Sequence, residues 1–265
     1  MLKQRVITAL ILLPLMLGML FYASDVFWAL FSGLIALLAL WEYTRMSGFS
    51  GEQNHRYLGF TALFGVVAYA GNWVLPPIVW LAVLLFWLVA MPLWLIKKWK
   101  LQANWKAYSV GWILMVPFWF ALVTLRPSTE AATSLLAVMG LVWIADIAAY
   151  FCGKAFGKRK LAPAISPGKS WEGAIGGALC VAVYLTLVMN AGWLAFDTSW
   201  IGTICIGLIL TVVSVGGDLL ESWLKRSAGI KDSSNLLPGH GGVFDRVDSL
   251  IAVLSVYAAM TVLFA

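Results

Sequence analysis

The chain alternates between long apolar runs and shorter polar segments over most of its length. An α-helix that crosses the hydrocarbon core of a bilayer needs about 20 predominantly apolar residues. Nine runs qualify as candidate spans, although the third and the ninth are short. They cover residues 6–22, 26–43, 57–69, 75–96, 107–125, 132–151, 171–190, 200–220 and 250–265. The pattern therefore predicts an all-α fold, a polytopic transmembrane helical bundle of about nine spans.

The composition indicates that lipid is the main solvent of this bundle. Of 265 residues, 62% are hydrophobic and only 11% are charged, against about 25% in an ordinary soluble domain. Fifteen Trp and eight Tyr suit a protein with two membrane interfaces, where amphipathic rings settle. Lys3 and Arg5 could mark a signal peptide, but the apolar run that follows them is long for one. We therefore interpret that run as an uncleaved first span.

The basic residues indicate how the predicted spans are oriented. If nine spans begin from a cytoplasmic N-terminus, all but one of the 18 Lys and Arg residues fall in cytoplasmic segments, and only Arg126 falls outside. Such an excess of cations is typical of the cytoplasmic side. Both long polar segments, residues 152–170 and 221–249, then face the cytoplasm. Topology and lipid head groups explain the net charge of +6, so no nucleic-acid partner is expected.

The polar segment 222–248 combines three kinds of group that suit a polyphosphate ligand. Its cations can meet phosphate oxygens, and its carboxylates are hard oxygen ligands for Mg²⁺. The glycine-rich turn around His240 can approach a ligand closely and can present backbone N–H groups to an anion. A solvated loop that carries only topology charges is the alternative. The cations are Lys225, Arg226, Lys231 and Arg246, and the carboxylates are Asp232, Asp245 and Asp248.

Two details of this segment depend on local geometry. Asp245 and Asp248 are three residues apart, so they share a face if the last helix begins early. His240 could be a metal ligand, a phosphate donor or a turn residue, and one histidine without partners is not a zinc site.

Two further carboxylates lie within or at the end of predicted spans. Asp218 shares a helix face with Ser222 and Lys225. Burying an isolated carboxylate in the membrane costs about 2.5–3.5 kcal/mol on insertion scales, and a metal ion would offset that cost. Asp146 lies deeper, four residues before Tyr150, and an intramembrane acid is a functional candidate by default. The alternatives are an interface position or a lysine partner for Asp218, and a structural hydrogen bond for Asp146.

The other polar segment, residues 152–170, leads into a helix that we expect to begin near Ser170. A helix N-terminus beside Lys169 favours an anion. The triplet Gly168-Lys169-Ser170 matches the end of a Walker A loop, but Pro163 stands where that pattern needs its first glycine. Three more cations could attract a lipid head group or a nucleotide, or could serve topology alone. They are Lys158, Arg159 and Lys160.

Glu42 and Glu172 lie near the ends of predicted helices. Exposure at the membrane interface explains both acids, so we assign them no role.

The segment 222–248 resembles the C-terminal motif of the phosphatidate cytidylyltransferase family, also called CDP-diglyceride synthases. It carries every fixed polar position of that motif, namely Ser222, Lys225-Arg226, Lys231-Asp232, His240-Gly241-Gly242, Asp245-Arg246 and Asp248. Three further stretches are similar to family positions. They are Asp146 to Tyr150, the loop Ser166-Pro167-Gly168-Lys169-Ser170 with Glu172-Gly173, and Gly217-Asp218. Ser170 stands where the family typically has Thr, which keeps a hydroxyl.

The resemblance covers about the C-terminal half of the chain and suggests two functional parts. Residues 131–265 would form a catalytic membrane region with two cytoplasmic polar loops. Residues 1–130 match only as generic apolar helices, so they would serve as a lipid-facing scaffold and provide oligomer contacts.

The resemblance implies a magnesium-dependent nucleotidyltransferase of phospholipid biosynthesis. It would transfer CMP from CTP to phosphatidic acid and yield CDP-diacylglycerol and pyrophosphate. The metal would be bound by Asp218, Asp245 and Asp248. The resemblance leaves open whether a second cation also binds. The implied catalytic residues are these three acids with Lys225, Arg226, Lys231, Arg246 and His240. The implied substrate-binding residues are Lys169, Ser170, Ser222, Asp232, Gly241, Gly242, Asp146 and Tyr150.

The same resemblance implies a bacterial-type inner membrane, a site that faces the cytoplasm, contact with membrane lipid and a homodimer. Two other functions remain as alternatives. A CTP-dependent lipid kinase would phosphorylate a lipid hydroxyl and release CDP. An anion transporter would use Asp146 and Asp218 as coupling residues, but the sequence shows no internal repeat of the kind that many transporters carry.

Overall fold

The computed structural model describes residues 2–194 and 199–264, without the side chains of Leu2, Lys3 and Arg5. This part of the chain contains ten α-helices and one two-stranded antiparallel ribbon. A π-helical segment, Phe86–Ala90, joins α4 to α5, and a 3₁₀ turn, Thr129–Ala131, precedes α7. The helices are α1 Leu2–Tyr22, α2 Asp25–Met46, α3 Gly51–Ala70, α4 Pro77–Leu85, α5 Met91–Lys97, α6 Trp105–Thr124, α7 Ala132–Phe156, α8 Trp171–Asn190, α9 Trp200–Ser227 and α10 Phe244–Phe264. The strands are β1 Lys160–Ala162 and β2 Ser166–Ser170.

Seven helical segments among the described residues are long and apolar enough to cross a membrane, which confirms a polytopic helical membrane protein. Each of these seven corresponds to one of the nine predicted runs, and the first and third runs do not meet the same criterion. The first run forms the shorter apolar stretch Val6–Tyr22, and α3 does not qualify because its first turns are polar. The seven are Asp25–Met46, Pro77–Lys97, Trp105–Thr124, Thr129–Phe156, Trp171–Asn190, Trp200–Ser227 and Phe244–Phe264.

Several helices extend beyond their apolar runs. The helix α9 continues to Ser227, past the predicted end at residue 220, and α10 begins at Phe244 rather than at residue 250. Asp245 and Asp248 therefore lie in the first turns of α10, which confirms that they share a helix. The predicted last residue of the final span, Ala265, lies outside the described residues.

The polar segment before α8 forms a ribbon, although we expected a loop. Lys160 of β1 lies opposite Ser170 of β2, and Ala162 lies opposite Ser166. The expected helix start is confirmed, because the Ser170 hydroxyl accepts the Gly173 N–H at 3.2 Å and caps α8.

Glu172 has a structural role that the sequence interpretation did not give it. Its carboxylate accepts the backbone N–H of Lys158 at 3.1 Å and that of Arg159 at 3.2 Å. The carboxylate in the first turn of α8 thereby holds the beginning of the ribbon.

The described chain divides into two compact units. The first comprises the residues up to 76 with 99–132 and 224–248, and the second comprises 77–98, 133–223 and the residues from 249 onward. In the first unit α2 packs against α3 and α6. In the second unit the Tyr184 hydroxyl of α8 donates to the Ala137 carbonyl of α7 at 2.9 Å, and Ser249 of α10 donates to the Ser214 carbonyl of α9 at 3.1 Å.

Arg126, the basic residue that the predicted topology left outside the cytoplasmic segments, is almost completely buried in the first unit. Its guanidinium donates to the Leu20 carbonyl at 3.0 Å, the Ala23 carbonyl at 2.6 Å and the Asp25 carboxylate at 3.0 Å. It also lies over the Trp28 ring. Arg126 thus ties the corner between α1 and α2 to the end of α6.

Candidate active site

The first unit contains an acid cluster around Asp245, in the first turn of α10. The Asp245 side chain is only 3% exposed, and its Oδ1 accepts the Lys225 ammonium at 2.5 Å. Its Oδ2 accepts the Ser233 N–H at 2.9 Å, the Ser233 hydroxyl at 2.7 Å and the Gly242 N–H at 2.8 Å. A buried carboxylate is stable only when such donors replace its lost water.

The glycine-rich turn brings the backbone against this acid. Leu237 donates to the Gly241 carbonyl at 2.9 Å, and His240 donates to the Leu237 carbonyl at 2.9 Å. Gly239 and Gly241 have φ values of +77° and +82°, which side chains disfavour. A Cβ on Gly241 would lie 2.7 Å from Asp245 Oδ2. The turn is therefore a tight support for Asp245.

Glu42, on α2, is the functional candidate that sequence reasoning missed. It is 0% exposed, so the interpretation that it lies at an exposed interface is wrong. Its Oε1 accepts the Val243 N–H at 2.9 Å and the Ser234 hydroxyl at 2.5 Å. Its Oε2 accepts the Phe244 N–H at 2.6 Å and the Ser233 hydroxyl at 2.9 Å.

The backbone N–H groups of Val243 and Phe244, at the start of α10, thus bind an anion. The anion bound by Val243 and Phe244 in this structure is the Glu42 carboxylate rather than a phosphate. One signal in the sequence could have found it. Glu42 is a lone acid near the end of an apolar run, and the same rule drew attention to Asp146 and Asp218.

The second unit contains another acid–lysine pair, formed by Asp218 and Lys169. The Lys169 ammonium lies 2.7 Å from Asp218 Oδ2, and the Ser222 hydroxyl donates to Oδ1 at 3.2 Å. The Lys169 side chain is 23% exposed and the Asp218 side chain is 30% exposed, so neither is fully enclosed by the protein. The lysine partner that we considered as an alternative for Asp218 is therefore present, and a ligand could compete for either charge.

The remaining predicted residues differ in their exposure. Asp146 and Tyr150 both lie on the exposed side of α7, which agrees with a shared direction. His240 and Asp248 are partly buried, and within the described residues the His240 Nδ1 has no hydrogen-bond partner. Cations on the protein surface can meet phosphate oxygens. The exposed charged residues are Arg226, Lys231, Asp232, Arg246, Lys158, Arg159 and Lys160.

The sequence predicts Asp218, Asp245 and Asp248 as metal ligands. Within residues 2–194 and 199–264, no group of three or more His, Cys, Asp or Glu side chains is placed to hold a metal ion. The donor chemistry suits Mg²⁺, because carboxylate oxygens are the ligands it prefers. Asp218 and Asp245 each present one oxygen to a lysine ammonium, a position that a metal cation could occupy instead.

Apolar spanning helices, together with buried carboxylates, lysines and a glycine turn, define the class of the protein. It is an integral membrane protein with polar groups suited to phosphorylated ligands.

Known proteins identify the family within that class. A profile described as the cytidylyltransferase family matches residues 3–264. A Pseudomonas aeruginosa protein named phosphatidate cytidylyltransferase is 44% identical over 98% of this chain and 97% of its own length. Proteins of the same name from Haemophilus influenzae and Staphylococcus epidermidis are 36% and 31% identical, over 97% and 95% of this chain and 98% and 96% of their own lengths. The chain belongs to the cytidylyltransferase family, whose members are nucleotidyltransferases.

Proposed function

We propose that this chain transfers CMP from CTP to phosphatidic acid, which yields CDP-diacylglycerol and pyrophosphate. The observation that carries this proposal is the 44% identity, over 98% of the chain, to a protein named phosphatidate cytidylyltransferase. The acids, lysines and glycines described above support the proposal, because binding the phosphates of a nucleoside triphosphate requires cations and carboxylates that can hold a metal ion.

The reaction replaces one phosphoanhydride bond by another. A phosphate oxygen of phosphatidic acid attacks the α-phosphorus of CTP, and the bond from that phosphorus to the β-phosphate oxygen breaks. The bonding electron pair leaves with pyrophosphate. The nucleophile is already an anion, so the reaction needs no strong general base. This agrees with a site rich in cations rather than one built around a serine or cysteine nucleophile.

The chain's own cations would bind and stabilise the leaving group. Negative charge grows on pyrophosphate in the transition state, and fixed cations near that charge lower its energy. Lys225 and Lys169 are already held beside carboxylates, whereas the exposed cations of the segment 222–248 are open to solvent. We assign phosphate binding to Lys169, Lys225, Arg226, Lys231 and Arg246.

Magnesium dependence is part of the proposal. Asp218, Asp245 and Asp248 would provide carboxylates for the ion, and a bound divalent cation would supply charge neutralisation on the triphosphate. Mg²⁺ is commonly bound by one or two carboxylates together with substrate phosphates, so the assignment does not require three acids of the described residues to be grouped in advance. The carboxylate chemistry of these residues supports the assignment.

The membrane arrangement is proposed on the charge pattern. If α1 and α3 cross the membrane together with the seven longer apolar segments, nine spans with a cytoplasmic N-terminus would leave only Arg126 outside the cytoplasmic segments. The burial of Arg126 explains that exception. CTP is soluble and phosphatidic acid stays in the leaflet, so a cytoplasm-facing site in a bacterial inner membrane reaches both. A homodimer belongs to the same proposal.

Product analysis tests the function directly. Purified protein in detergent is incubated with CTP, phosphatidic acid and Mg²⁺, and the lipid and aqueous products are separated. We expect CDP-diacylglycerol and pyrophosphate in equal amounts, and neither product without phosphatidic acid. CDP with a newly phosphorylated lipid would instead indicate a lipid kinase and would reject the proposal.

A further inference from the structure

Glu42 connects an N-terminal helix to the C-terminal motif within the first unit. Its carboxylate on α2 accepts hydrogen bonds from Ser233, Ser234, Val243 and Phe244, which flank both ends of the glycine-rich turn. A second contact from the N-terminal helices supports the same turn, because the Thr8 hydroxyl of α1 donates to the Pro238 carbonyl at 2.9 Å.

The environment of Glu42 is suited to a charged carboxylate. A carboxylate that is removed from water needs strong donors in place of its hydration, and Glu42 faces four donor groups, of which the Ser233 hydroxyl is shared with Asp245. Two of these are backbone N–H groups at the start of α10, where the helix dipole also favours negative charge. These contacts fix the position at which α10 begins, one residue before Asp245.

Ser233 provides a second route from Glu42 to Asp245. Its hydroxyl lies 2.9 Å from Glu42 Oε2 and 2.7 Å from Asp245 Oδ2, and its N–H also donates to Asp245. The hydroxyl carries one proton, so it donates to one carboxylate at a time while it touches both. A displacement of Glu42 would therefore be passed on to Asp245.

We propose that Glu42 is a positioning residue for cytidylyl transfer, which holds Ser233 and the first turn of α10 so that Asp245 keeps one orientation. This role rests on the proposed function, in which Asp245 takes part in catalysis. Glu42 itself is fully buried and acts through Asp245 without touching substrate.

The variant Glu42→Gln tests this role, because it keeps the size of the side chain and removes its charge. The amide –NH₂ would face groups that are themselves donors, so it cannot accept all four hydrogen bonds. Small misplacements of a reacting group can cost about 10²-fold, so we expect kcat to fall roughly 10- to 100-fold. We expect the KM for phosphatidic acid to stay within about twofold, because the change leaves lipid contacts intact. The matched control is Glu52→Gln, an exposed acid of α3 in the same unit.

Hydrogen exchange gives a readout that does not depend on turnover. The amides of Val243 and Phe244 lose their acceptor in Glu42→Gln, so we expect them to exchange faster there than in the wild type or in Glu52→Gln. Unchanged exchange would overturn the proposed hold on α10.

The double variant Glu42→Gln/Ser233→Ala separates positioning from general destabilisation. If both residues act on Asp245, the double variant should be no slower than about the slower single variant. Independent, additive losses would overturn the coupling. If Glu42→Gln does not fold, Ser233→Ala alone decides, and a kcat within twofold of wild type would then reject the proposal.

The outcome for the wild type keeps the two proposals apart. A folded wild-type protein without CDP-diacylglycerol formation would reject the proposed function and, with it, any role for Glu42 in catalysis. Normal wild-type turnover with an unchanged kcat in Glu42→Gln would reject the positioning role alone.

Discussion

Gly242 shows how closely the acid cluster around Asp245 is packed. A Cβ at this position would overlap with the Ser233 hydroxyl and the Glu42 carboxylate. The Gly242 N–H also donates to Asp245 at 2.8 Å. The glycine therefore serves the approach of the backbone to two carboxylates of the chain.

Replacing Gly242 by alanine should damage both folding and turnover. Forcing a methyl group into occupied space typically costs about 1–3 kcal/mol. We expect a lower midpoint of thermal unfolding in detergent and reduced CDP-diacylglycerol formation per folded molecule. The control is Gly59→Ala on α3, where the added Cβ meets nothing within 4 Å. That change should be neutral or mildly stabilising, because alanine favours helices. An unfolding midpoint for Gly242→Ala equal to that of the control would contradict the packing described here.

At the scale of elements, the corner between α1 and α2 depends on one buried cation. The carbonyls of Leu20 and Ala23, at the end of α1 and just beyond it, have no further helical turn to bond with, and Arg126 donates to both. The Asp25 side chain, its third partner, is 57% exposed and remains partly hydrated. The stabilisation therefore comes mainly from the two carbonyls and from packing on Trp28.

The variant Arg126→Met tests this assignment. It leaves the two carbonyls without their donor, and each unsatisfied buried group costs about 1–3 kcal/mol. We expect a clear loss of thermal stability in detergent while kcat per folded molecule stays near the wild-type value. The matched variant Arg56→Met removes an exposed cation with a 79% exposed side chain and should change stability by less than about 1 kcal/mol. Equal effects of the two substitutions would contradict a structural role for Arg126.

The approximate positions of the spanning helices were predictable from the apolar runs in the sequence. Apolar runs located α2 and α6 through α8, because lipid requires an apolar surface along the whole span. The ends were not predictable in this way. Past its apolar run, α9 continues through Glu221 to Ser227, because helical hydrogen bonding needs no apolar side chains. The ribbon β1–β2 is too short and too polar to show an alternating pattern.

The candidate site was predictable in its local parts and not in its distant contact. The motif placed Lys225, Asp245 and the glycine turn within one segment, and the structure joins them. Glu42 is about 190 residues from its partners, as its contact with Ser233 spans 191 positions. Neither the hydrophobic periodicity nor the spacing of motif residues in a single sequence indicates a contact between residues so far apart.

At the scale of the whole molecule, the proposed topology makes a sidedness prediction. In a background without Cys152, Cys180 and Cys205, the variants Lys231→Cys and Glu130→Cys place single thiols at exposed positions. With a cytoplasmic site, a membrane-impermeant maleimide should label position 231 only after the cytoplasmic side is opened. It should label position 130 in intact cells, because residue 130 falls in the segment opposite to the predicted cytoplasmic loops. Labelling of both positions from one side would contradict the nine-span arrangement.

The fate of two labels in CTP distinguishes cytidylyl transfer to phosphatidic acid from phosphorylation of a lipid. Protein is supplied with phosphatidic acid, Mg²⁺ and CTP that carries ³²P at either the α or the γ position. We expect the α label to enter the lipid and the γ label to leave as pyrophosphate. In folded protein, Asp218→Asn and Asp245→Asn should abolish both transfers, whereas Glu130→Gln should not. Transfer of the γ label to lipid, or near-normal α transfer in both aspartate variants, would contradict the proposal.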